Sequence, residues 1–127
     1  MPDLRVLVVD DQEPFRRAMS AVVDETDGFV VVGSAHSGEE SLAMATELRP
    51  DLVLMDVNLP GMDGIEATRR LRAGAEPPVV MLLSTYDEDE FDFTGSGATA
   101  YVAKAALGPD RLSEAWAGAG GRDSGPG

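Results

Sequence analysis

Short apolar runs alternate with amphipathic segments along the whole chain. A short run rich in Val and Leu, without a polar residue at every second position, is typical of a strand buried on both faces of a parallel sheet. The alternation of such strands with helical segments predicts an α/β fold. The predicted strands are residues 4–9, 29–35, 51–55, 79–84 and 99–103.

The first two amphipathic segments have clear helix starts. Pro14 stands near the start of the first, which we expect to end near Glu25. Ser37 and Glu40 have the spacing of a capping box, so a second helix should begin here and run to about Leu48. The apolar residues of the first helix follow one face and are expected to point into the core: Phe15, Ala18, Met19, Val22 and Val23.

Two later segments repeat these patterns. Asp63 and Glu66 form the same capping motif ahead of a third helix. Pro109 is expected to begin the last helix of the domain. Their inner faces would be formed by Ile65, Ala67 and Leu71 in the third helix, and by Leu112, Ala115 and Trp116 in the last.

The region between the last two predicted strands is the weakest element. Residues 88–97 should form the fourth helix in chain order, but their second half is rich in Gly, Ser and Thr, which are poor helix formers. We therefore expect this helix to be short, irregular or mobile. The glycine-rich residues 118–127 predict a flexible tail or the start of an interdomain linker, which leaves residues 1–117 as one domain.

Composition narrows the class of protein. A chain of 127 residues can bury the core of one domain. There is no cysteine for a disulfide or thiolate metal site, and a single histidine, His36, cannot form a multi-histidine site. No apolar stretch approaches the ~18 residues that would span a bilayer. Acidic residues interrupt the amino terminus where a signal peptide would be apolar, so a cytoplasmic location is the expected default.

The net charge of −13 argues against direct binding of this domain to nucleic acid, since phosphate contacts need clustered Lys and Arg. Part of the charge lies in an acidic run at residues 87–92. That run is explained most simply as the solvated start of a helix, where acids complement the helix dipole. A docking surface for a basic partner is the alternative.

Three aspartates directly follow two of the predicted strands. Asp10 and Asp11 follow the first, and Asp56 follows the third. A single aspartate there could be only a helix cap, but the βαβα pattern makes these two strands neighbours, so the three carboxylates should meet at one edge of the sheet. Carboxylates packed together repel one another unless a cation joins them. A hard divalent metal with oxygen ligands is the simplest such cation.

Other residues would complete this site. The loop from Asn58 to Gly64 is shaped by proline and glycine and could turn a backbone carbonyl toward the metal. Ser84 closes the fourth predicted strand and Lys104 follows the fifth, so both should lie at the same edge. A hydroxyl donor and an ammonium beside metal-bound carboxylates are the groups that stabilise a phosphoryl group during its transfer.

These motifs together resemble the receiver domain of bacterial two-component response regulators, the CheY-like fold. The similar segments are Val6–Asp11, Asp51–Gly64, Val79–Tyr86 and Tyr101–Lys104, and the region from Pro78 to Asp87 is closest in wording to NarL/FixJ-type transcriptional regulators. The resemblance implies a doubly wound, five-stranded parallel sheet of order 2-1-3-4-5 with helices on both faces. It also implies a switch that catalyses its own phosphotransfer and dephosphorylation, with no separate enzymatic activity.

The resemblance assigns the chemistry to the acid cluster. Asp56 would be the phosphoacceptor, attacking a phosphohistidine of a sensor histidine kinase. Asp11 and Asp56 would bind Mg²⁺ directly with the backbone carbonyl of Asn58, and Asp10 would assist through water.

The resemblance also implies a switch mechanism. Ser84 would donate a hydrogen bond to the phosphoryl group and Lys104 would pair with it. Tyr101 would be the aromatic switch, turning inward when Ser84 moves toward the phosphate. Tyr86, two positions after Ser84, stands where the family tunes the access of hydrolytic water.

Two departures from the family pattern affect the output side. Ser84 and Lys104 are 20 positions apart (104 − 84), fewer than is usual in the family, and Ala105 stands where a proline commonly follows the lysine. Both departures lie on the surface formed by the fourth helix, fifth strand and fifth helix, which the family uses for output and for dimerisation. We expect a homodimer, if one forms, to use this surface.

Several functions remain open from the sequence. The favoured one is the regulatory half of a DNA-binding regulator whose output domain is not in this chain, and a stand-alone receiver is possible. A receiver that signals without phosphorylation is another alternative. A phosphohydrolase of the haloacid dehalogenase type is disfavoured because it needs a carboxylate at the position of Asn58. A flavodoxin-like cofactor binder is disfavoured because Asp10 and Asp11 would repel a phosphate.

Overall fold

Strands and helices alternate through the computed structural model of the chain, which describes residues 3–85 and 97–118. In these residues every predicted strand is confirmed to within one residue of its bounds. The strands are β1 (Leu4–Val9), β2 (Phe29–Ala35), β3 (Leu52–Asp56), β4 (Val79–Ser84) and β5 (Ala100–Ala103). The helices are α1 (Glu13–Asp24), α2 (Gly38–Leu48), α3 (Gly64–Arg72) and α4 (Pro109–Gly118), and Lys104–Ala106 form one 3₁₀ turn.

Some predicted features lie outside the described residues. These are the helix predicted at 88–97, apart from its last residue Gly97, together with Tyr86, the acidic run at 87–92 and the tail beyond Gly118. The label α4 therefore belongs here to the helix that begins at Pro109. In the described part of the chain, no helix has the length and apolar character needed to cross a membrane.

All five strands run parallel in one sheet with the order β2-β1-β3-β4-β5, as the resemblance implied. The chain moves from β1 to one side for β2 and then to the other side for β3, so the order reverses beside β1. Val9 and Met55 are paired in register, which places Asp10 and Asp56 at the same level of two neighbouring strands. Parallel sheets bind ligands at such a reversal, beyond the carboxyl ends of the strands.

Helices cover both faces of the sheet. On one face Val6 and Val8 of β1 lie in a core shared with α1 and α4. On the other face Leu7 and Val9 lie in a core shared with α2 and α3. Strands buried on both sides explain the continuous apolar runs of the sequence. The inner face predicted for the last helix is confirmed, since all three of its residues are buried: Leu112, Ala115 and Trp116.

The inner face predicted for the first helix is partly wrong. Met19 and Val23 are buried and Val22 is half-buried, but Phe15 and Ala18 are exposed. Phe15 lies in the first turn of α1, beyond the carboxyl edge of the sheet, while Ala18 lies in the second turn, beside the buried face that holds Met19 and Val23. The helix also begins and ends one residue earlier than predicted.

Both predicted helix caps are present, in simpler form than a full capping box. Ser37 Oγ accepts from the amide of Glu40 at 3.0 Å, while the Glu40 carboxylate accepts from the amide of His36, one residue before the cap. Asp63 Oδ1 accepts from the amide of Glu66 at 2.8 Å. The Glu66 carboxylate does not reach back; it pairs with Arg70 at 2.9 Å instead. One side-chain bond to an orphan amide therefore begins each helix.

Gly64, the first residue of α3, is pressed against the end of β3. A Cβ atom at this position would overlap the backbone carbonyl oxygen of Asp56 and lie 2.9 Å from the Cα atom of Val57. The Gly64 amide donates to the carbonyl of Val57 at 3.0 Å, which fixes this close approach. The missing side chain thus lets α3 start directly beside Asp56.

Gly64→Ala should destabilise the fold by about 2 kcal/mol or more, because neither backbone segment can move without breaking its hydrogen bonds. Gly74→Ala is the matched control, since a Cβ there meets only the Leu71 carbonyl at 3.7 Å. Its effect should stay within about 1 kcal/mol of zero. Urea unfolding of the two variants measures both values, and equal stability of the two would contradict the close approach.

Candidate functional site

The three aspartates that follow β1 and β3 meet at the carboxyl edge of the sheet, as predicted. Carboxylate oxygens of Asp10, Asp11 and Asp56 all lie within 4.8 Å of one another. Asp10 is fully buried and Asp56 is only 3% exposed, while Asp11 faces solvent. The cluster therefore has two buried acids at its base and one exposed acid at its mouth.

The turns after the two strands fix the buried carboxylates. Asp10 Oδ1 accepts from the amide of Gln12 at 2.9 Å, and Asp56 Oδ1 accepts from the amide of Asn58 at 3.2 Å. In both places an aspartate side chain binds the backbone two residues on, which is the usual way that Asp shapes a turn. The same bond that turns the chain away from the sheet holds each carboxylate in position.

Lys104 supplies the positive charge of the pocket. Its ammonium nitrogen lies 2.8 Å from Asp10 Oδ2 and 3.4 Å from Asp56 Oδ1, and its side chain is only 14% exposed. The lysine follows β5 at the start of the 3₁₀ turn, and its peptide bond to Ala105 is trans. Lys104 is 94 positions after Asp10 in the chain and still contacts it, as expected from its place at a strand end.

The charge balance of the pocket fits a further cation. One ammonium faces three carboxylates, so the cluster remains negative when all three are ionised. Carboxylate oxygens are the ligands that Mg²⁺ prefers in proteins, and the exposed Asp11 leaves one side of the cluster open to solvent. The residues present therefore suit a hard divalent ion.

The pKa of Asp56 is raised from 3.8 to about 6. Burial is the largest cause, and the neighbouring Asp10 carboxylate acts in the same direction. The Lys104 ammonium and the amide of Asn58 act in the opposite direction, because both stabilise the ionised form. Asp56 is therefore ionised in neutral solution at a free-energy cost, and any additional cation would relieve that cost.

Ser84 lies at the same edge of the sheet and is fully buried. Asp56 is paired with Leu83 across β3 and β4, so Ser84 lies one residue beyond the level of Asp56. On its other side it is paired with Ala103, the residue before Lys104. The register therefore brings the serine, the lysine and the acid cluster to one edge.

Asn58 and Tyr101, the other two predicted site residues, differ in their exposure to solvent. Asn58 is exposed, directly after the site, and is tied to Asp56 through its own amide. Tyr101 is in β5, only 4% exposed, and belongs to the core shared with α2 and α3. The structure thus places Tyr101 inside the protein.

Two residues of the site were not predicted from the sequence. The ring of Phe15 lies over the ammonium of Lys104, with the nitrogen 4.1 Å from the ring centroid. Arg16 donates from its guanidinium to the backbone carbonyl of Asp10 at 2.7 Å. The assignment of Phe15 to the inner face of α1 was wrong for the reason given above. Its position four residues after Asp11, beyond the end of a strand, is the signal that could have placed it here.

A separate groove of about 930 Å³ lies at the opposite end of the strands, between the ends of α2 and α3. Its lining includes Pro50, Pro77 and Pro78 and none of the acid cluster. This groove is therefore separate from the acid cluster.

These features define the class of protein, and the chain belongs to the response regulator receiver domain family, whose model matches residues 6–117. The resemblance seen in the sequence is confirmed. The solved signal receiver domain of the putative response regulator NarL from Mycobacterium tuberculosis has the same fold, with a TM-score of 0.85 and 28% identity, covering 96% of this chain and 100% of that one.

Curated relatives are longer than this chain. Response regulator GacA of Pseudomonas viridiflava is 45% identical over 105 residues, which make up 81% of this chain and 49% of that protein. Transcriptional regulatory protein LiaR of Bacillus subtilis is 38% identical over 103 residues, with 80% and 49% covered. A protein-glutamate methylesterase/protein-glutamine glutaminase of Nocardioides is 41% identical over 110 residues, with 84% and 30% covered. The chain thus spans about half the length, or less, of these relatives.

Asp56→Asn should stabilise the fold in a pH-dependent way. Because the pKa of Asp56 is about 6 in the folded protein and near 3.8 when unfolded, folding favours its protonated form. The free energy of unfolding of the wild type should therefore fall as pH rises from about 4 to about 6 and should stay lowered above that. Asparagine cannot ionise, so the variant should be more stable by about 2–3 kcal/mol at pH 7 and nearly equal below pH 4.

The measurement is urea unfolding between about pH 3 and pH 7 without divalent metal. Asp27→Asn, in the exposed turn after α1, is the control for loss of one negative charge. A stability gap that does not change with pH would contradict the raised pKa.

Proposed function

We propose that this receiver domain is switched by transfer of a phosphoryl group from a phosphohistidine of a sensor histidine kinase to Asp56. The observation that carries the proposal is the pocket around this carboxylate. Asp56 is buried, lies beside a second buried acid, and is 3.4 Å from the Lys104 ammonium. A carboxylate in such a place is costly to keep ionised, and the Lys104 ammonium beside it can pair with the phosphoryl oxygens that the transfer would bring to this position.

Asp56 would act as the nucleophile. One of its carboxylate oxygens attacks phosphorus, the bond from phosphorus to the imidazole nitrogen breaks, and the leaving imidazole takes up a proton. At neutral pH Asp56 is largely ionised, because its pKa of about 6 lies below that range. Lys104 can pair with a phosphoryl oxygen after attack, since it already lies between Asp10 and Asp56.

We further propose Mg²⁺ as the cofactor of this step. Asp11 and Asp56 would hold it with the backbone carbonyl of Asn58, and Asp10 would assist through water. The ion would supply positive charge that neutralises the transferring phosphoryl group. The clustered carboxylate oxygens and the open side at Asp11 support this assignment.

The response to phosphorylation would begin at Ser84 and Tyr101. Ser84 would donate to the phosphoryl group, and the space it leaves would be occupied by the tyrosine ring. The buried Ser84 at the end of β4 and the buried Tyr101 on the adjacent strand support a coupled movement. The role of Tyr86 in tuning the access of hydrolytic water stays a prediction.

The output is proposed to be transcriptional. LiaR, a transcriptional regulator, and GacA match this chain over about half their length, which leaves room for an output domain. The similar methylesterase shows that a receiver domain also occurs in an enzyme, and a stand-alone receiver stays an alternative. A cytoplasmic location, the domain boundary at residue 117, and a homodimer through the predicted helix at 88–97, β5 and α4 stay predictions.

Two other functions fit less well. A phosphohydrolase would need a second acid two residues after the nucleophile, and that residue, Asn58, has no ionisable side chain. A receiver that signals without phosphorylation would not need the close contacts of Lys104 with both buried acids. The phosphohydrolase would release phosphate from an ester. The phosphorylation-independent receiver would never carry a phosphoryl group on Asp56.

Incubation with acetyl phosphate and Mg²⁺ should add one phosphoryl group to the wild type and none to Asp56→Ala, because Asp56 is the proposed nucleophile. Intact-mass measurement reads the adduct directly. Asp27→Asn should be modified like the wild type. An unmodified wild type would favour phosphorylation-independent signalling, and steady release of phosphate from an ester would favour the hydrolase.

Mg²⁺ should raise the melting temperature of the wild type, since a ligand that binds only the folded state stabilises it. Asp11→Asn should lose most of this rise, because it removes the exposed ligand without disturbing the buried pair. Asp27→Asn, which removes the same charge elsewhere, should keep it. A thermal shift titration distinguishes the variants, and an equal response of Asp11→Asn and wild type would exclude Asp11 as a ligand.

A further inference from the structure

Phe15 is an exposed aromatic residue at the mouth of the acid pocket. Among the residues that the structure describes, it is the one large apolar side chain that is exposed, with 39% of its surface accessible. Its ring lies over the ammonium of Lys104 at 4.1 Å from the ring centroid. The ring therefore buries one face against a cation and leaves the other to solvent.

The position of the ring is fixed by the start of α1. Pro14 restricts the backbone just before it, and the amide of Phe15 donates to the carbonyl of Gln12 at 3.1 Å. The next residue, Arg16, donates to the carbonyl of Asp10 at 2.7 Å. This bond ties the first turn of the helix to the strand end that carries the acid pair.

The ammonium of Lys104 is thus enclosed by three groups. Asp10 lies at 2.8 Å, Asp56 at 3.4 Å, and the ring of Phe15 at 4.1 Å from its centroid. Lysine has a flexible stem and loses rotamer entropy when its head is held in place. The face of an aromatic ring attracts a cation and also keeps water from that side, which favours the enclosed position.

We propose that Phe15 is a positioning residue whose ring holds the Lys104 ammonium between the two buried carboxylates and so speeds the transfer of a phosphoryl group to Asp56. This inference rests on the proposed roles of Asp56 and Lys104. Phe15 itself need not touch the phosphoryl donor. Its effect is exerted through the place and solvation of the lysine.

Three substitutions separate attraction of the ring from simple coverage. Phe15→Tyr keeps the aromatic face and should take phosphate from acetyl phosphate at close to the wild-type rate. Phe15→Leu keeps apolar bulk without the aromatic face and should react roughly three- to fivefold more slowly. Phe15→Ala should be slower still. A small donor is used because its reaction does not depend on contacts with a kinase, and Ala18→Ser, exposed on the same helix, is the control.

A fourth substitution, of Lys104 itself, tests whether the effect passes through the lysine. In the background of Lys104→Met there is no cation for the ring to hold. Phe15→Leu should then change the rate of phosphorylation by acetyl phosphate by less than it does in the wild type, and by nothing if the ring acts through the lysine alone. Equal effects in both backgrounds would overturn the proposal, because the ring would then act on something other than Lys104.

The position of the lysine can be measured without any phosphorylation. Lys104 is the only lysine of the chain, so its side-chain NMR signals need no assignment among others. A ring above the ammonium shifts the adjacent methylene protons upfield, and this shift should be present in the wild type and Phe15→Tyr but lost in Phe15→Leu. An unchanged shift in Phe15→Leu would overturn the proposal.

The outcomes distinguish this inference from the function it rests on. If the wild type takes no phosphate, the role of Asp56 fails, whatever the NMR signals show. If the wild type is modified and Phe15→Leu reacts at the same rate, only the role of Phe15 fails. Loss of the upfield shift together with slower modification supports both.

Discussion

The site of this protein depends on one ammonium that lies between two buried carboxylates. Asp10 and Asp56 occupy neighbouring strand ends where water is largely excluded, and like charges there repel strongly. Lys104, at 2.8 Å and 3.4 Å from them, makes the arrangement possible. Removing the lysine would leave the two buried carboxylates without a positive charge, which is far more costly than the loss of a surface ion pair. The parallel strands of the sheet all end at one edge, and this places the three residues together.

The compensation by Lys104 is incomplete, so Asp56 is ionised at a cost to the stability of the fold. The raised pKa of Asp56 shows that burial and the neighbouring acid outweigh the lysine and the Asn58 amide. The buried apolar cores on both faces of the sheet stabilise the fold and offset this local cost. A residue that is destabilising while ionised lowers the stability of the fold, and functional sites often retain such costs. The first turn of α1 adds to this picture, because Phe15 and Arg16 tie the lysine and the strand end to one helix.

The same receiver domain is found with different outputs. The relatives include a transcriptional regulator and a methylesterase, and the chain is similar to both over the receiver portion. What these relatives share with this chain is therefore the receiver portion rather than one common output. In this chain the departures from the family pattern, Ala105 and the short span from Ser84 to Lys104, lie on the output side and leave the acid cluster intact.

The sequence by itself determined the sheet and the acid cluster. Strands buried on both faces give continuous apolar runs, and residues that follow such runs must meet at one edge when the strands are parallel, so Asp10, Asp56 and Lys104 could be placed together. Caps such as Ser37 and Asp63 were also visible, because a cap is a local feature. Only the tertiary structure decided the rest. The carboxylate of Glu66 pairs with Arg70 instead of the helix start. The ring of Phe15 covers Lys104 and does not lie on the predicted inner face. The physical reason is that helical periodicity defines a face but not how far the helix extends past the sheet, and that extent depends on how the helix packs.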